Sequence, residues 1–298
     1  MTKKDTITYK VTENDTIHSV KVLLRKRLDF STRLLRKLKL EGGVFVDGKP
    51  VFLYEKPKAG SVISVALPQE ISGFEPEDIP LNILYEDEDL LVLSKQPGFV
   101  CHPTKGHPNH TMANGIMKYM LDKGENYKIR FINRLDMDTT GVLLIGKNGY
   151  CQENFTRQAS AGKVVKRYVA LAEGSFASES GTIDLPIGLE AEDQVRRIVR
   201  EDGYPSVTHY RVLERFGDAY TLVELELETG RTHQIRVHLS HMGHPIVGDV
   251  LYGQPSEYIG RQALHACYLS FRHPVTGDEL EFNAPLPEDM LKLLEAIK

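Results

Sequence analysis

"FINRLDMDTTGVLLIGKN", residues 131–148, places an arginine and two aspartates in a turn-forming stretch directly before an apolar strand. Asp, Thr and Gly favour turns, because short polar side chains bond to nearby backbone groups and Gly accepts backbone angles that other residues resist. That chemistry accounts for Asp138, which opens the run Asp-Thr-Thr-Gly. It does not account for Asp136, a carboxylate at the mouth of a core strand, which needs a partner from elsewhere in the chain.

The composition is that of an ordinary globular protein. Of 298 residues, 41% are hydrophobic and 26% are charged, which is enough chain for two domains with a well-buried core. The N-terminal residues lack the apolar core of a signal peptide, and no stretch approaches the roughly 18 consecutive apolar residues that span a bilayer. Three widely spaced cysteines indicate neither a disulfide framework nor a paired-cysteine zinc site. We therefore expect a cytoplasmic protein with reduced thiols and no membrane partner.

Charge is distributed unevenly along the chain. The formal net charge is −4, yet residues 18–43 hold eight Lys and Arg residues against two acidic ones, which leaves this stretch at +6 and the rest at −10. Phosphate groups are bound by local clusters of Lys and Arg, so the patch and not the sum decides whether a nucleic acid binds. The sequence therefore predicts a nucleic-acid partner despite its acidic total.

The basic stretch has the pattern of two short helices and a hairpin. Apolar residues recur at helical spacing from Val20 to Leu28, and Ser31 is a typical N-cap for a second helix that Gly42-Gly43 closes. Asp47-Gly48, within "VFVDGKPV", predicts a tight hairpin turn.

This order of helix, helix and hairpin, with basic residues on the second helix, resembles the small RNA-binding domain named after ribosomal protein S4, over about residues 15–68. The resemblance implies RNA contacts from the second helix by Arg33, Arg36 and Lys37. The alternative is a solvated basic face without a ligand. We place this domain at residues 1–70, and a linker at residues 71–80, where the chain is rich in Pro, Glu and Asp.

The remainder, residues 81–298, is predicted to be rich in strands. Strand candidates are two short runs around the acidic turn of "LNILYEDEDLLVLSK", then GVLLIGK, RYVALAEG, PSVTHYRVLERF, YTLVELELETG and LSFRHPVTGDELEF. Helix candidates lie at about 111–123, 152–161, 232–242 and 287–298. Strands that outnumber helices and follow one another as hairpins favour an α+β fold with a mixed, largely antiparallel sheet over a parallel sheet wound through helices.

Several other residue patterns could carry chemistry. Four histidines fall within residues 233–244, which is one arrangement for a zinc site, but no HExxH motif supplies a general base and the cysteines lie elsewhere. Capping, hydrogen bonding or RNA contact is the alternative for these histidines. Cys101-His102 could pair a nucleophile with a base, although adjacent residues seldom face each other productively. No Gly-rich phosphate loop occurs, so neither ATP nor a nicotinamide cofactor is implied.

Arg236 is a candidate partner for Asp136. On a helix that opens near Thr232, the apolar positions Ile235, Leu239 and Met242 would face the core, which turns Arg236 toward the flank of the buried stripe. An arginine in that position needs a carboxylate. The alternative is a helix-end salt bridge, which is worth little if exposed.

At these residues the chain resembles a known family. "INRLDMDTTGVLLIGKN" closely resembles the signature of the RluA-type pseudouridine synthases, in which His-Arg-Leu-Asp precedes a Thr-rich turn, a Gly and an apolar strand. "KRYVALAEG", "LETGRTHQIRVHLSHMGHPIVGDVLYG" and "RQALHACYLSF" are similar to three further family motifs, in the family's order. The resemblance covers roughly residues 80–298. The chain departs from the family where Asn133 replaces the usual His, and where Ser94-Lys95-Gln96-Pro97-Gly98 replaces the usual Asn-Lys-Pro-x-Gly.

The resemblance implies an isomerase that converts uridine to pseudouridine in RNA, without a cofactor or metal. Asp136 would be the nucleophile, Arg236 the cation that keeps it ionised, and Tyr168 the residue that stacks on the flipped uracil and takes part in C5 proton transfer. A cation within about 4 to 6 Å lowers the pKa of a carboxylate. Arg134, Lys166 and Arg231 are implied phosphate or ribose contacts, with an ordinary surface cation as the alternative for each.

The RNA partner implied by the family is ribosomal RNA of the large subunit or transfer RNA. Two other classes of function stay open at the level of sequence. One is a non-catalytic RNA-binding protein that keeps the fold and uses Asp136 structurally. The other is a metal-dependent hydrolase built on the histidine cluster.

Overall fold

The computed structural model describes residues 6–68, 70–191 and 195–298. Residues 1–5 and Gln69 of the predicted N-terminal domain lie outside the described residues. Within them the strands form two main sheets and one separate two-stranded pair. No helix of the described residues is long and apolar enough to cross a bilayer.

A four-stranded antiparallel sheet and two helices form the N-terminal part. Its elements are β1 (Thr6–Lys10), α1 (Val20–Arg27), α2 (Thr32–Glu41), β2 (Val44–Val46), β3 (Lys49–Pro50) and β4 (Val62–Ala66). The strands lie in the order β1-β4-β2-β3. The two predicted helices are confirmed, and strands β1 and β4 were not expected.

Local turn chemistry sets the ends of these elements as the sequence predicts. The Ser31 hydroxyl accepts a hydrogen bond from the Leu34 amide at 3.1 Å, so Ser31 caps α2. Asp47 and Gly48 both have positive φ, 50° and 77°, which is the conformation of a tight turn between antiparallel strands. The hairpin of β2 and β3 is therefore confirmed.

The second sheet has ten strands among the described residues. In chain order the elements from residue 83 onward are β5 (Ile83–Glu86), β6 (Leu90–Lys95), α3 (Met112–Asp122), β7 (Arg130–Phe131), β8 (Thr140–Gly146), α4 (Gly149–Ser160), β9 (Val165–Glu173), β10 (Ser180–Asp184), β11 (Ile187–Leu189), β12 (Arg197–Val199), β13 (Val207–Phe216), β14 (Tyr220–Leu227), α5 (Gln234–His241), β15 (Leu264–Arg272), β16 (Glu279–Asn283) and α6 (Glu288–Ala296). The main path is β10-β13-β14-β9-β15-β8-β6-β5, with β16 beside β15 and β7 beside β8. β11 and β12 form the separate two-stranded pair.

The predicted α+β class with a mixed, largely antiparallel sheet is confirmed. Among the strand pairs of the described residues, only β8 and β15 run parallel. The four predicted helices are present with slightly different ends. For example, α4 begins at Gly149 and not near residue 152, because the Asn148 side chain accepts a hydrogen bond from the Cys151 amide at 2.9 Å and starts the helix earlier.

The N-terminal part packs against α4. Phe30 and Tyr150 are both buried, and their ring centroids lie 5.2 Å apart. The Arg157 guanidinium of α4 donates to the Asp29 carbonyl. One buried apolar cluster includes residues from α1, α2, β6, β8 and α4. The division into residues 1–70, 71–80 and 81–298 stays a prediction.

The centre of the large sheet brings distant motifs together. β15 lies between β9, which carries Tyr168, and β8, which the Asp136 loop precedes. At the parallel junction Gly141 stands opposite Ala266 of β15 and Lys95 of β6. A Cβ at Gly141 would overlap the Ala266 carbonyl oxygen and lie 2.7 Å from the Ala266 N and C atoms, and the φ of Gly141 is +114°. Only glycine is accommodated there.

We therefore predict that Gly141→Ala lowers the free energy of unfolding by more than about 4 kcal/mol, because backbone atoms of β15 block the methyl group. The matched control is Gly217→Ala in the turn between β13 and β14, where φ is +59° and nothing lies within 4 Å of the added Cβ. That variant should lose about 1 kcal/mol, from backbone strain alone. Urea unfolding of both variants measures the difference, and equal losses would show that β8 and β15 do not meet this closely.

Candidate active site

Asp136 lies in the loop between β7 and β8, with its side chain 26% exposed. Its Oδ2 accepts a hydrogen bond from Nη1 of Arg236 at 3.1 Å, across a sequence separation of 100 residues. Arg236 is on the first turn of α5 and its side chain is 9% exposed. The structure thus brings together the carboxylate and the cation that the sequence analysis paired.

The strongest bonds of Arg236 go to a carboxylate that the sequence analysis did not single out. Asp249 is fully buried, and its two oxygens accept from Nε and Nη2 of Arg236 at 2.7 and 2.8 Å. Two parallel bonds of this kind fix the plane of the guanidinium. The Tyr252 ring covers the same group, with its centroid 5.1 Å from the Arg236 Cζ.

The charge of Arg236 is secured by these neighbours. Burial alone would lower the pKa of Arg236, but the hydrogen bonds and charges of Asp249 and Asp136 raise it well above its usual value. Asp249 is held in turn by the backbone, because its Oδ1 accepts from the Leu251 and Tyr252 amides at 3.1 and 3.2 Å. The arginine is therefore a fixed positive charge whose remaining nitrogen, Nη1, faces Asp136.

His233 approaches Asp136 from the start of α5. Its Nε2 lies 3.9 Å from Oδ2 of Asp136, and its Nδ1 shares a 2.8 Å hydrogen bond with the Tyr252 hydroxyl. Burial lowers the pKa of His233, so the ring is neutral near pH 7. Its φ of 58° is unusual for a residue other than glycine. The backbone at this corner of the site is thus held in a sparsely populated conformation.

Lys95 holds the Asp136 loop from the core side. It is 1% exposed, and its ammonium donates to three backbone carbonyls, those of Gln96, Met137 and Thr139, at 3.0, 2.6 and 3.1 Å. Two of these carbonyls flank Asp138 in the loop. Burial lowers the pKa of Lys95 to about 8, against a usual 10.5. The sequence analysis noted Lys95 only as part of a motif and assigned it no role.

Asp138 serves the same loop. Its Oδ1 accepts from the Gly98 amide at 3.2 Å, and its carbonyl accepts from Arg261 at 2.9 Å. The Thr139 amide donates to the Asp136 carbonyl at 3.2 Å and closes the turn. These bonds are consistent with the prediction that Asp138 stabilises the turn. They also join the turn to the loop that contains Gly98.

Tyr168 and Lys166 lie two residues apart on β9 and therefore on one face of the strand. Tyr168 packs against two apolar clusters, one of which also contains Leu135. Burial, followed by the negative charge of Asp136, raises the pKa of Tyr168 well above its usual value. The phenol is therefore protonated at neutral pH. Burial also lowers the pKa of Lys166.

Asn133, which replaces the family's usual His, is occupied with the backbone of β8. Its Nδ2 donates to the Val142 carbonyl at 2.9 Å and its Oδ1 accepts from the Leu144 amide at 2.7 Å. Both polar atoms are therefore used to join the loop to the strand.

Arg134 is exposed and lines two clefts. One, of about 330 Å³, is also lined by Arg197 and Arg231. Arg231 donates to the Pro205 carbonyl at 3.2 Å and lies over the Tyr204 ring. The other cleft, of about 780 Å³, lies between α2 and α4. Two of the three candidate cations of α2, Arg33 and Lys37, line this larger cleft, whereas Arg36 is exposed and does not.

Three of the four histidines between residues 233 and 244, namely His233, His238 and His244, have separate hydrogen-bond partners. His238 bonds to Thr208 and to the Leu185 carbonyl, and His244 bonds to the Glu173 carbonyl and stacks on Phe176. They do not converge on a common ligand point.

The group of the described residues that most resembles a metal site lies elsewhere. Ligand atoms of Asp87, Asp89 and His273 all lie within 4.8 Å of one another. The Val275 and Thr276 amides donate to Nδ1 of His273, so Nε2 carries the proton and donates to Asp87 at 3.0 Å. Both ring nitrogens are thus occupied, and the group ties two strand turns together.

Cys101 is buried, and its thiol donates to the Leu135 carbonyl at 3.4 Å. Burial raises the pKa of Cys101, which disfavours the thiolate that a nucleophile needs. The neighbouring His102 is exposed.

We predict that Asp249→Asn lowers the free energy of unfolding by about 3 kcal/mol, because it leaves the buried Arg236 without its bidentate partner. Glu279→Gln is the control, since Glu279 pairs with Arg272 where both side chains are more than half exposed. That change should cost less than about 1 kcal/mol. Chemical unfolding near pH 7 compares the two, and a loss for Asp249→Asn no larger than that of the control would contradict the assigned pairing.

We also predict that stability depends on pH through Lys95. Between pH 8 and 10.5 the unfolded chain keeps a proton that the folded chain has lost, so the free energy of unfolding rises with pH in this window. Lys95→Met should remove this rise, so that wild type gains up to about 3 kcal/mol relative to the variant across the window. Urea unfolding at several pH values measures it, with the exposed Lys163→Met as control. A parallel pH dependence in wild type and Lys95→Met would refute the prediction.

Comparison with known proteins agrees with the motifs. The family described as RNA pseudouridylate synthase matches residues 89–241, a range that contains Asp136, Tyr168 and Arg236 but not Asp249. A Bacillus subtilis protein named uncharacterized RNA pseudouridine synthase YjbO is 42% identical over 90% of this chain and 95% of its own length. The ribosomal large subunit pseudouridine synthase D of Vibrio vulnificus is 39% identical over 91% and 87%, respectively.

Solved structures point the same way. The human RNA pseudouridylate synthase domain containing 1 superposes with a TM-score of 0.57 at 28% identity, over 73% of this chain and 94% of that one. The human RNA pseudouridylate synthase domain containing 4 superposes with a TM-score of 0.60 at 24% identity, over 72% of this chain and 92% of that one, which supports the fold. The resemblance inferred from the four motifs is confirmed. The chain belongs to the RNA pseudouridylate synthase family, and it is an RNA pseudouridine synthase, an isomerase that acts on RNA.

Proposed function

We propose that this enzyme isomerises specific uridines to pseudouridine in structured RNA, with Asp136 as the nucleophile and without a cofactor. The observation that carries the proposal is the 3.1 Å contact between Asp136 and an arginine that Asp249 fixes in place. A carboxylate in an accessible loop, held by a charge that cannot move away, is suited to attack and then to leave.

The reaction breaks the bond between ribose C1′ and uracil N1 and forms a bond between C1′ and C5. In the proposed course, the Asp136 carboxylate attacks the sugar and the base leaves with the N1–C1′ electron pair. The base then turns, C5 attacks C1′, and Asp136 is expelled as a carboxylate. C5 loses a proton and N1 gains one, so the product is an isomer of the substrate and no oxidant or reductant is used.

Arg236 stabilises the ionised form of Asp136 in this scheme. Charge on the carboxylate is needed both before the attack and after the expulsion. A guanidinium that is already oriented needs no reorganisation when that charge returns.

Tyr168 is proposed to stack on the uracil after the base leaves the RNA helix. Because its pKa is raised, Tyr168 acts as a neutral phenol and not as a phenolate. Its part in the C5 proton transfer is then that of a hydrogen-bonding group, and the proton passes to a stronger base. The Asp136 carboxylate, which is released when C5 attacks C1′, is such a base and can take the C5 proton in the final step.

Cations around the site are proposed to hold the RNA. Removing a nucleotide from its stack costs a few kcal/mol, which contacts to the rest of the RNA must supply. Arg134 and Arg231 line one cleft, and Lys166 lies on the Tyr168 face of β9. We propose phosphate or ribose contacts for all three.

The N-terminal part is proposed to act as an RNA-binding domain of the ribosomal protein S4 type. Its second helix carries Arg33, Arg36 and Lys37, and its basic stretch has a charge of +6 within a chain of −4. Electrostatic attraction of this kind adds affinity for RNA that does not depend on the nucleotide sequence.

Ribosomal RNA of the large subunit is the favoured substrate. Relatives named ribosomal large subunit pseudouridine synthase D, from Vibrio vulnificus and Escherichia coli O157:H7, are 39% and 37% identical to this chain over 91% of its length. Transfer RNA is the alternative. A ribosomal RNA substrate also agrees with the cytoplasmic location expected from the sequence.

The proposal predicts that Asp136→Asn abolishes the release of tritium from RNA labelled at C5 of uridine, because label leaves C5 only when a new bond forms there. Asp138→Asn is the matched control, since it makes the same change two residues away in a loop-supporting carboxylate. It should retain most activity. Ribosomal and transfer RNA are offered separately, and RNA binding is measured in parallel.

Turnover by Asp136→Asn would overturn the assignment of the nucleophile. Release from transfer RNA alone would overturn the preferred substrate but leave the chemistry intact. If wild type bound RNA and released no label from either kind, the catalytic proposal would fall.

A further inference from the structure

The larger cleft lined by Arg134 is a basic groove between the two parts of the chain. It has a volume of about 780 Å³ and is bounded by α2 on one side and α4 on the other. Six cations line it: Arg33, Lys37, Lys128, Arg130, Arg134 and Arg157. Two carboxylates, those of Glu70 and Glu153, oppose them. The aromatic rings of Phe74, His102 and Phe131 line the same groove.

Three of the cations converge on Glu70. Lys37 of α2 reaches one carboxylate oxygen at 2.9 Å, while Lys128 and Arg130 reach the other at 3.2 and 2.7 Å. Lys37 belongs to α2, whereas Lys128 and Arg130 lie just before and at the start of β7, so Glu70 is contacted from both parts of the chain. Hydrogen bonds from Lys37 first, and then from Lys128, with the charge of Arg130, lower the pKa of Glu70 to about 2. Glu70 is therefore an anion throughout the physiological pH range.

A single anion held by three cations is an arrangement that a phosphate group could also form. A phosphodiester carries the same charge as a carboxylate and offers two free oxygens at similar spacing. Glu153 lines the same groove and forms none of the ion pairs described for Glu70. The aromatic rings beside the cations favour a nucleic-acid strand over a simple anion, because bases stack on such rings.

We propose that this groove binds the RNA backbone next to the target uridine, and that Glu70 fills a phosphate position which the RNA takes over on binding. The inference rests on the proposed function and deepens it. Arg134 belongs to the groove and to the cleft lined by Arg231, and it lies two residues before Asp136 in the chain, so an RNA strand in the groove would pass beside the loop that carries Asp136. Both parts of the chain then hold one segment of RNA.

The alternative is that Glu70 is a latch that joins the two parts, with no role in binding. The two interpretations predict different changes in RNA affinity for one substitution. If Glu70 competes with a phosphate, Glu70→Gln tightens RNA binding. If Glu70 is a latch, Glu70→Gln loosens the groove and weakens binding or leaves it unchanged.

The test measures binding of a radiolabelled RNA stem-loop with single-stranded flanks, at several salt concentrations, to the full chain. Glu153→Gln is the matched control, since it removes the same charge from the same groove. Glu70→Gln should bind roughly fivefold to tenfold more tightly than Glu153→Gln, with a steeper dependence of affinity on salt. Affinity for Glu70→Gln equal to or below that of the control overturns the proposal.

A second pair of variants keeps the test independent of Glu70. Arg33 and Arg36 are close together on α2, but only Arg33 lines the groove. Arg33→Gln should weaken binding and reduce the salt slope by about one, whereas Arg36→Gln should do neither to the same extent. Equal effects of Arg33→Gln and Arg36→Gln would place the RNA elsewhere on α2 and refute the proposal that the groove binds RNA.

Failure of the groove and failure of the reaction are separable. If tritium release is normal and neither Glu70→Gln nor Arg33→Gln changes RNA affinity, the groove does not bind RNA but the proposed reaction stands. If both variants change RNA affinity but the wild-type protein releases no label, the groove binds RNA and the proposed reaction is wrong.

Discussion

The guanidinium of Arg236 is held between two carboxylates of different character, and the organisation of the site depends on that arrangement. Asp249 is fully buried and takes two nitrogens of the guanidinium. Asp136 is partly exposed and takes the third. A buried ion pair repays the loss of hydration only when its geometry is good and its other hydrogen bonds are satisfied. Asp249 meets that condition through backbone amides, so Arg236 can present a fixed charge to Asp136.

The large sheet supplies the other constraints on Asp136. Its central strands β9, β15 and β8 bring Tyr168 and the Asp136 loop together from positions far apart in the chain. Lys95 binds the loop from the core through the Met137 and Thr139 carbonyls, and Gly141 lets β8 approach β15 where any side chain would collide. The Asp136 carboxylate is therefore restrained by its own loop and by Arg236. The exposed Arg134, two residues earlier, lines two clefts.

Short-range features of this structure could be predicted from the sequence, because their physical causes are local. The cap at Ser31, the turn at Asp47-Gly48 and the amphipathic helices all depend on neighbouring residues. The pairing of Arg236 with Asp136 was predictable only through the motifs. Asp249 and Lys95 were missed, because each acts through contacts that the tertiary fold creates, although both lie within quoted motif segments. The short strands β11 and β12 were missed because three residues carry too little pattern to be recognised.

We propose that Asp249 serves the reaction only by fixing Arg236. A double-mutant cycle in the single-turnover rate of pseudouridine formation tests it most directly, with Arg236→Gln, Asp249→Asn and the double variant compared with wild type. We expect the double variant to be no slower than Arg236→Gln alone, since Asp249 has nothing left to position. If the losses of rate in the two single variants multiply in the double variant, Asp249 acts independently of Arg236 and does not serve only to position it.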